Sequence, residues 1–495
     1  MSRGVPLVCA IAVTALIIGS VAGAEIPPRP EQLAFAPLHF DVPDNQAMRS
    51  VLRNGVAVYL AEDRQLPLIS VQVFFRGGQY LEPAGKEGVA ALTGTVWRTG
   101  GAGDLEARAL DEELDFLAAV LNTNVGPLTG SVSLNLLSKD LDRGLALLMD
   151  VLTRPRFAAD RLDRAKDEML ADMRRRNDDT SDIEQREWNR LLYGDDYWMN
   201  RLATQASVES IVGADLAAFH RRLAHPANMV VAVAGDFDRA VMMRKLNGTL
   251  GAWRPAEGGA VPPVPQPGSM AAPGVYLVHK SDVNQGRVSM GHLGTRRPVE
   301  DEMAILLGND ILGGGGFTSW ITSRVRSDEG LAYSAGSRFQ IGDFVPGAFR
   351  AFFQSRSATC ARAAHITIEL MNRLRDTEVG EKELATSKNS FIETFPRTFE
   401  TRTRTAVRFA LDEVTGLPRD HWKTYRDRVR AVDAAGVLKA ARRHIHPDNL
   451  IILVVGNIEE ILQGHPDHPE ASFARFGPLN RVPLRDPMTL KPLAE

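Results

Sequence analysis

The sequence predicts an α+β protein made of two similar halves, each a mainly antiparallel sheet packed with helices and joined to the other by a linker. Three observations predict it. His225-Pro226-Ala227-Asn228 opens an apolar run that ends in Gly235-Asp236, and His446-Pro447-Asp448-Asn449 opens one that ends in Gly456-Asn457. The separation is 446 − 225 = 221 residues, and the opening strands at Gly55-Val56 and Gly274-Val275 lie 274 − 55 = 219 apart. Two separated matches at nearly one offset imply duplication of a domain of about that length. Each copy also has strands first, helices in the middle and an apolar strand last, the pattern of helices packed on a sheet. Between the copies, residues 255–273 are too rich in proline and glycine for regular structure and suit a linker.

Taken in order, residues 1–24 place Arg3 before an apolar run and then Ala22-Gly23-Ala24, which reads as a secretory signal cut after Ala24. Removal of that segment takes Cys9 with it and leaves Cys360 as the one cysteine, so no internal disulfide can form. A large exported chain without disulfides suits a bacterial periplasm, or another secreted location. Residues 25–47 are proline-bearing and aperiodic, an extended lead-in.

The first domain spans 48–254. Val56, Val58 and Leu60 alternate, as do Ile69, Val71, Val73 and Phe75, which reads as a hairpin around Pro67. Ser131–Leu137 reads as a further strand, and Leu141, Leu145, Leu148 and Leu152 mark a helix ending at Pro155. A helix bearing Asp167, Glu168, Asp172 and Arg174–Arg176 follows, with Asp172 expected to be a solvated charge. The second domain, 274–480, opens with a second strand pair around Val275 and Val288. Residues 481–495 form a tail. The runs after His225 and His446 are expected to be central strands. The two histidines themselves fit turn chemistry, because a His-Pro-x-Asn step supplies no ligand cluster.

Composition bounds the function. At 495 residues, 44% hydrophobic and 24% charged, the chain is an ordinary globular one with ample core. A formal net charge of −3 supplies no basic field, so no nucleic-acid partner is expected.

The stretch with most chemical content is Leu312–Tyr333. Gly313–Gly316 interrupt an apolar run, helical spacing resumes through Trp320, Ile321 and Val325, and Gly330 stops it. Arg326 then falls in the last helical turn and Tyr333 just beyond. A guanidinium and a phenol so placed could steady a carbonyl as it gains negative charge. From the residues alone the favoured reading is a solvated cation at a helix C-terminus and a tyrosine packing its ring. The glycines lack a following Lys-Ser or Lys-Thr in phosphate-loop spacing. Cys360 reads as a small buried hydrophobe on a helix starting near Ser357.

Residues 77–101 carry a resemblance. Gly78, Glu82-Pro83, Gly85-Lys86 and Gly88-Val89-Ala90 stand as they do ahead of the H-x-x-E-H zinc motif of the insulinase and pitrilysin peptidases, the inverzincins. The chain resembles that family over nearly the whole length after the signal. The motif itself is degenerate: the histidine positions fall on Ala91 and Thr95, and the base on Gly94. The family's third ligand aligns with Asp172, or with Glu168 one turn earlier. Zinc in a catalytic site takes three protein ligands, so the resemblance implies no metal and no cofactor in this chain. In this family the second half carries an arginine and, seven residues on, a tyrosine that contact substrate across the zinc centre. Arg326 and Tyr333 match that pair (333 − 326 = 7), with Trp320 standing where an arginine is common.

The resemblance therefore implies the non-zinc subunit of a heterodimeric metallopeptidase. A homologous partner bearing H-x-x-E-H would supply zinc, a peptide or unfolded polypeptide would be the substrate, and the peptide would add as a strand to a sheet edge. Such a chain is inactive alone. The alternative is a catalytically inactive paralogue that binds peptide or acts as a scaffold. A peptidase with an unorthodox metal site built on His220 and His225 lacks an adequate ligand set.

Overall fold

The computed structural model describes residues 29, 40–254, 259 and 261–493. The expected signal segment, most of the lead-in and part of the linker lie outside them. The chain divides into Met1–Asp41 and Val42–Glu495, and everything below concerns the second unit.

That unit holds two six-stranded mixed sheets. The first comprises β1 (Arg49–Val51), β2 (Ala57–Glu62), β3 (Leu68–Arg76), β4 (Val120–Val125), β5 (Thr129–Leu137) and β6 (Met229–Gly235), in the order β1-β2-β6-β3-β5-β4. The second comprises β7 (Gly274–His279), β8 (Gln285–Leu293), β9 (Ala332–Phe339), β10 (Ala348–Arg356), β11 (Ile451–Gly456) and β12 (Leu479–Arg481), in the order β12-β7-β11-β8-β10-β9. Five positions correspond in order, β2-β6-β3-β5-β4 with β7-β11-β8-β10-β9, as a duplication requires, and the edge strands β1 and β12 differ.

The register corrects the offset read from the opening strands. Glu62 pairs with Gly235 and His279 with Gly456, so the strands correspond at 279 − 62 = 217 residues and Gly274 matches Ala57, not Gly55. The expected hairpins are also corrected. β2 and β3 are not neighbours: β6 lies between them, parallel to β2 and antiparallel to β3. β11 likewise separates β7 from β8. The physical reason is burial. β6 and β11 are buried along nearly their whole length on both faces, and an uninterrupted apolar run is sheltered best between two other strands.

Each sheet is covered on one face by helices of its own half and on the other by a helix of the opposite half. In the first half α1 (Val89–Thr99), α2 (Leu141–Thr153) and α3 (Ala159–Arg174) precede α4 (Thr180–Tyr193). In the second half α5 (Cys360–Asp376) and α6 (Glu381–Thr394) precede α7 (Arg402–Thr415). α4 packs on β8 and β11 of the second sheet, and α7 on β2, β3 and β6 of the first. Glu413 of α7 accepts from Arg49 Nε and Nη2 at 3.1 and 3.0 Å and from Tyr59 Oη at 2.7 Å. Along β11, Ile451, Leu453 and Val455 join the first half's core while Ile452 and Val454 join the second's.

The tail returns to the first half. β12 takes the place in the second sheet that β1 takes in the first, but runs parallel to its neighbour. Beyond it the carbonyls of Arg485 and Pro487 accept from Asn177 and Arg176. Arg176 is therefore tied to the tail. It lies half-buried between Ala203 and the tail.

Candidate functional site

The segment carrying Arg326 is helical but wider than an α-helix. Asp310–Gly314 and Thr322–Asp328 form π-helical turns, with Gly315 N donating to Asp310 O and Glu329 N to Arg324 O, five residues back in each case. Such turns recur at functional sites. The glycine run exists for packing. A Cβ on Gly313 would lie 2.4 Å from Ser337 N on β9, so only glycine lets the two backbones meet. Gly330, at φ +63°, turns the chain into β9. Trp320 is buried, donates from Nε1 to Glu383 Oε1 at 2.6 Å and lies under Arg373, with Cζ 3.9 Å from the ring centroid. It anchors the segment to α5 and α6 and does not face the open side.

Tyr333 is an extra residue in its strand. Ser334 pairs with Gln354 and Ala332 with Ser355, so Tyr333 has no partner on β10. A bulge of this kind re-aims a side chain, and the ring stands 84% exposed. The Arg326 Cζ lies 4.4 Å from its centroid and 4.6 Å from that of Phe317, itself 69% exposed. Among the described residues Arg326 makes no ion pair. A half-buried guanidinium is thus held between two exposed rings by cation–π attraction and keeps its N–H donors free. The structure brings Arg326 and Tyr333 together. Phe317 escaped the sequence reading, although an aromatic residue directly after a glycine run was visible. Meanwhile β9 is a blunted edge: Thr322 Oγ1 donates to Ala335 O at 2.9 Å and Asn309 Nδ2 to Ser337 O at 3.4 Å. A strand-adding peptide finds those carbonyls already occupied.

The degenerate motif lies on α1. Ala91 and Thr95 are exposed one turn apart, and Thr95 Oγ1 donates to Ala91 O at 3.1 Å. Gly94 is buried against β4. A Cβ there would sit 2.7 Å from Val125 N, while Thr123 Oγ1 donates to Gly94 O at 2.7 Å. The strand occupies the space a glutamate would need. On α3, Asp172 is exposed and paired to Arg175 at 2.5 Å, and Glu168 to Arg164 at 2.9 Å. A cavity of about 230 Å³ beside Ala91 is lined by Met169, Val125 and Arg176. Its buried carboxyl, Glu82, is pushed up to about 7 by burial, against two backbone N–H donors, Gly88 and Ala90, at 3.0 and 2.8 Å. Ala, Gly and a self-satisfied Thr do not fit zinc. Among the described residues no group of three or more His, Cys, Asp or Glu could hold a metal ion.

The remaining reactive groups serve the core. His220, pushed down to about 4 by burial, packs edge-on to Trp97 at 4.8 Å. His225 Nδ1 accepts from Ala227 N at 3.0 Å, capping the turn into β6. Cys360 is fully buried at the start of α5, its thiol pushed up to about 12 by burial.

A pair of corresponding α+β halves that exchange covering helices, with a zinc motif eroded in one half and an arginine–tyrosine pair in the other, defines a metallopeptidase-type fold without its metal ligands. Comparison with known proteins agrees: residues 210–391 match the family described as "Peptidase M16 inactive domain". The chain is thus similar to the insulinase-like M16 peptidases over most of its length. The non-peptidase homolog YmxG of Helicobacter pylori is 22% identical over 409 residues, covering 81% of this chain and 92% of the relative. An uncharacterized zinc protease of Mycobacterium leprae is 29% identical over 209 residues, 42% of this chain and 46% of the relative, so that match spans less than half of it. The crystal structure of a peptidase M16 inactive domain from Pseudomonas fluorescens superposes with a TM-score of 0.73 at 24% identity, covering 82% of this chain and 97% of that one.

Proposed function

We propose that this chain is the non-zinc subunit of a divided, periplasmic M16 metallopeptidase, placing Arg326 and Tyr333 against a peptide held by a homologous partner that bears H-x-x-E-H. The observation that carries the reading is the Arg326–Tyr333 stack: a guanidinium without an ion-pair partner among the described residues, set on an exposed phenol that a bulge turns outward. Buried packing would leave neither group open. The phenol O–H can donate to a carbonyl oxygen as negative charge grows on it, and the guanidinium beneath adds positive potential and fixes the ring. Zinc and the attacking water belong to the partner, since Ala91, Gly94, Thr95 and Asp172 do not fit a metal. With the β9 edge blunted by Thr322 and Asn309, the extended peptide pairs with a strand of the partner and meets this chain through side chains.

A second reading, a peptide-binding or scaffold paralogue without catalysis, is favoured by one comparison: the relative named a non-peptidase homolog aligns along 92% of its length. Capture of the mature chain from its native periplasm separates the two. The divided peptidase predicts an equimolar partner of similar length carrying H-x-x-E-H, and chelator-sensitive peptide hydrolysis that needs both chains. Recovery of this chain alone from that compartment, or hydrolysis by the partner at the same rate without it, contradicts the proposal.

A further inference from the structure

A cavity of about 410 Å³ lies between α4 and the outer face of the second sheet, over β8, β10 and β9. Its charged lining is three arginines, Arg287, Arg338 and Arg350, against one carboxylate, Glu184, a formal excess of 3 − 1 = +2. A volume of that size suits a small ligand or a few peptide side chains.

The arginines are unequally satisfied. Glu184, only 4% exposed, accepts from Ser289 Oγ at 2.5 Å and from Arg350 Nη2 at 2.9 Å on the same oxygen. Its other oxygen lies 3.6 Å from Arg287 Nη1, and Arg287 Nε is buried without a hydrogen-bond partner. The Arg338 side chain makes no hydrogen bond or ion pair among the described residues. It stands directly across the β9–β10 ladder from Arg350. Like charges in direct cross-strand opposition are destabilising, and a buried orphan donor is costly. The first cost falls if an anion sits among the three guanidinium groups. Arg350 Cζ lies 5.5 and 5.9 Å from the ring centroids of Trp188 and Phe352, which hold its guanidinium in place, and the partly exposed Phe352 adds an apolar wall.

We propose that this cavity binds a carboxylate, taken up by Arg338 with Arg287 and Arg350, whether borne by a free dicarboxylic acid or by an acidic side chain of a peptide. Glu184 shows the chemistry in place: it is a carboxylate already gripped by two of the three arginines, with one guanidinium to spare. The site is distinct from the Arg326–Tyr333 stack and does not depend on a partner subunit.

Isothermal titration of the full chain with glutarate, with an acetylated glutamate-containing hexapeptide and with its glutamine counterpart tests this. Binding of glutarate alone identifies a free acid as the ligand, and binding of the glutamate peptide alone identifies a peptide; either supports the proposal. The glutamine peptide is expected to bind at least about tenfold more weakly than the glutamate one in the second case, the scale of a lost charge-assisted contact. Arg338→Ala is expected to abolish the carboxylate binding with no loss of thermal stability, since Arg338 is exposed and holds no other group. No binding of either carboxylate, equal binding of the two peptides in place of glutarate, or affinity that survives Arg338→Ala overturns the assignment. So does inorganic phosphate binding as tightly as the carboxylate.

Discussion

At Gly94 the absence of a side chain is a packing requirement, because α1 meets the backbone of β4 there. Gly94→Ala would gain up to about 1 kcal/mol in helix propensity. Its Cβ would lie 2.7 Å from Val125 N, a backbone atom with little room to move. Overpacking of that kind costs about 1–3 kcal/mol, so a net loss of about 1–2 kcal/mol is expected in urea unfolding. A stabilised variant would show that the helix and strand can separate at Gly94. That Ala91, Gly94 and Thr95 offer no usual zinc donor was legible in the sequence, because side-chain chemistry needs no coordinates. The closing of β4 onto Gly94 was not, since glycine reports permission for close approach without saying what approaches. The seven-residue spacing of Arg326 and Tyr333 was legible too. Their stacking was not, because it depends on a π-turn and a bulge, each of which adds a residue that ordinary periodicities do not count. Arg176 looked like one more charge in a polar run, and only the returning tail gives it carbonyl partners.

Among the elements, α4 and α7 hold the molecule together by reciprocal exchange. Glu413 on α7 binds Arg49 and Tyr59 on the first sheet, and Arg76 Nη2 donates to the Glu413 carbonyl at 2.5 Å. Glu413→Ala strands the Tyr59 hydroxyl and frees Arg49, which is expected to lower stability by about 1–3 kcal/mol. Denaturant unfolding followed by tryptophan fluorescence measures it, and an unchanged midpoint would mean that α7 covers the sheet by apolar contact alone. Strand existence was legible from alternation and from the two long apolar runs. Strand adjacency was not. β2 and β3 are close in sequence and share a polar break, which imitates a hairpin, whereas the strand that separates them arrives about 150 residues later. The duplication could have warned of it, because two copies ending in a fully apolar strand each need a sheltered place for that strand.

For the whole molecule, the halves correspond in sheet order yet differ in what they expose. In the first half the backbone of β4 packs on Gly94, and a cavity of about 230 Å³ remains beside Ala91. The second keeps a cation and a phenol open to solvent on a rigid turn anchored by Trp320. An asymmetry of that kind suits a chain that completes a site made elsewhere. The most direct test is Tyr333→Phe in the assembled two-chain complex, which removes one oxygen and leaves the ring, the stack on Arg326 and the bulge in place. The account predicts an unchanged 1:1 complex and unchanged peptide affinity, with turnover reduced about 100-fold, the scale for loss of one donor to a developing oxyanion. Turnover equal to that of the wild-type complex would contradict it and leave Arg326 and Tyr333 as surface packing.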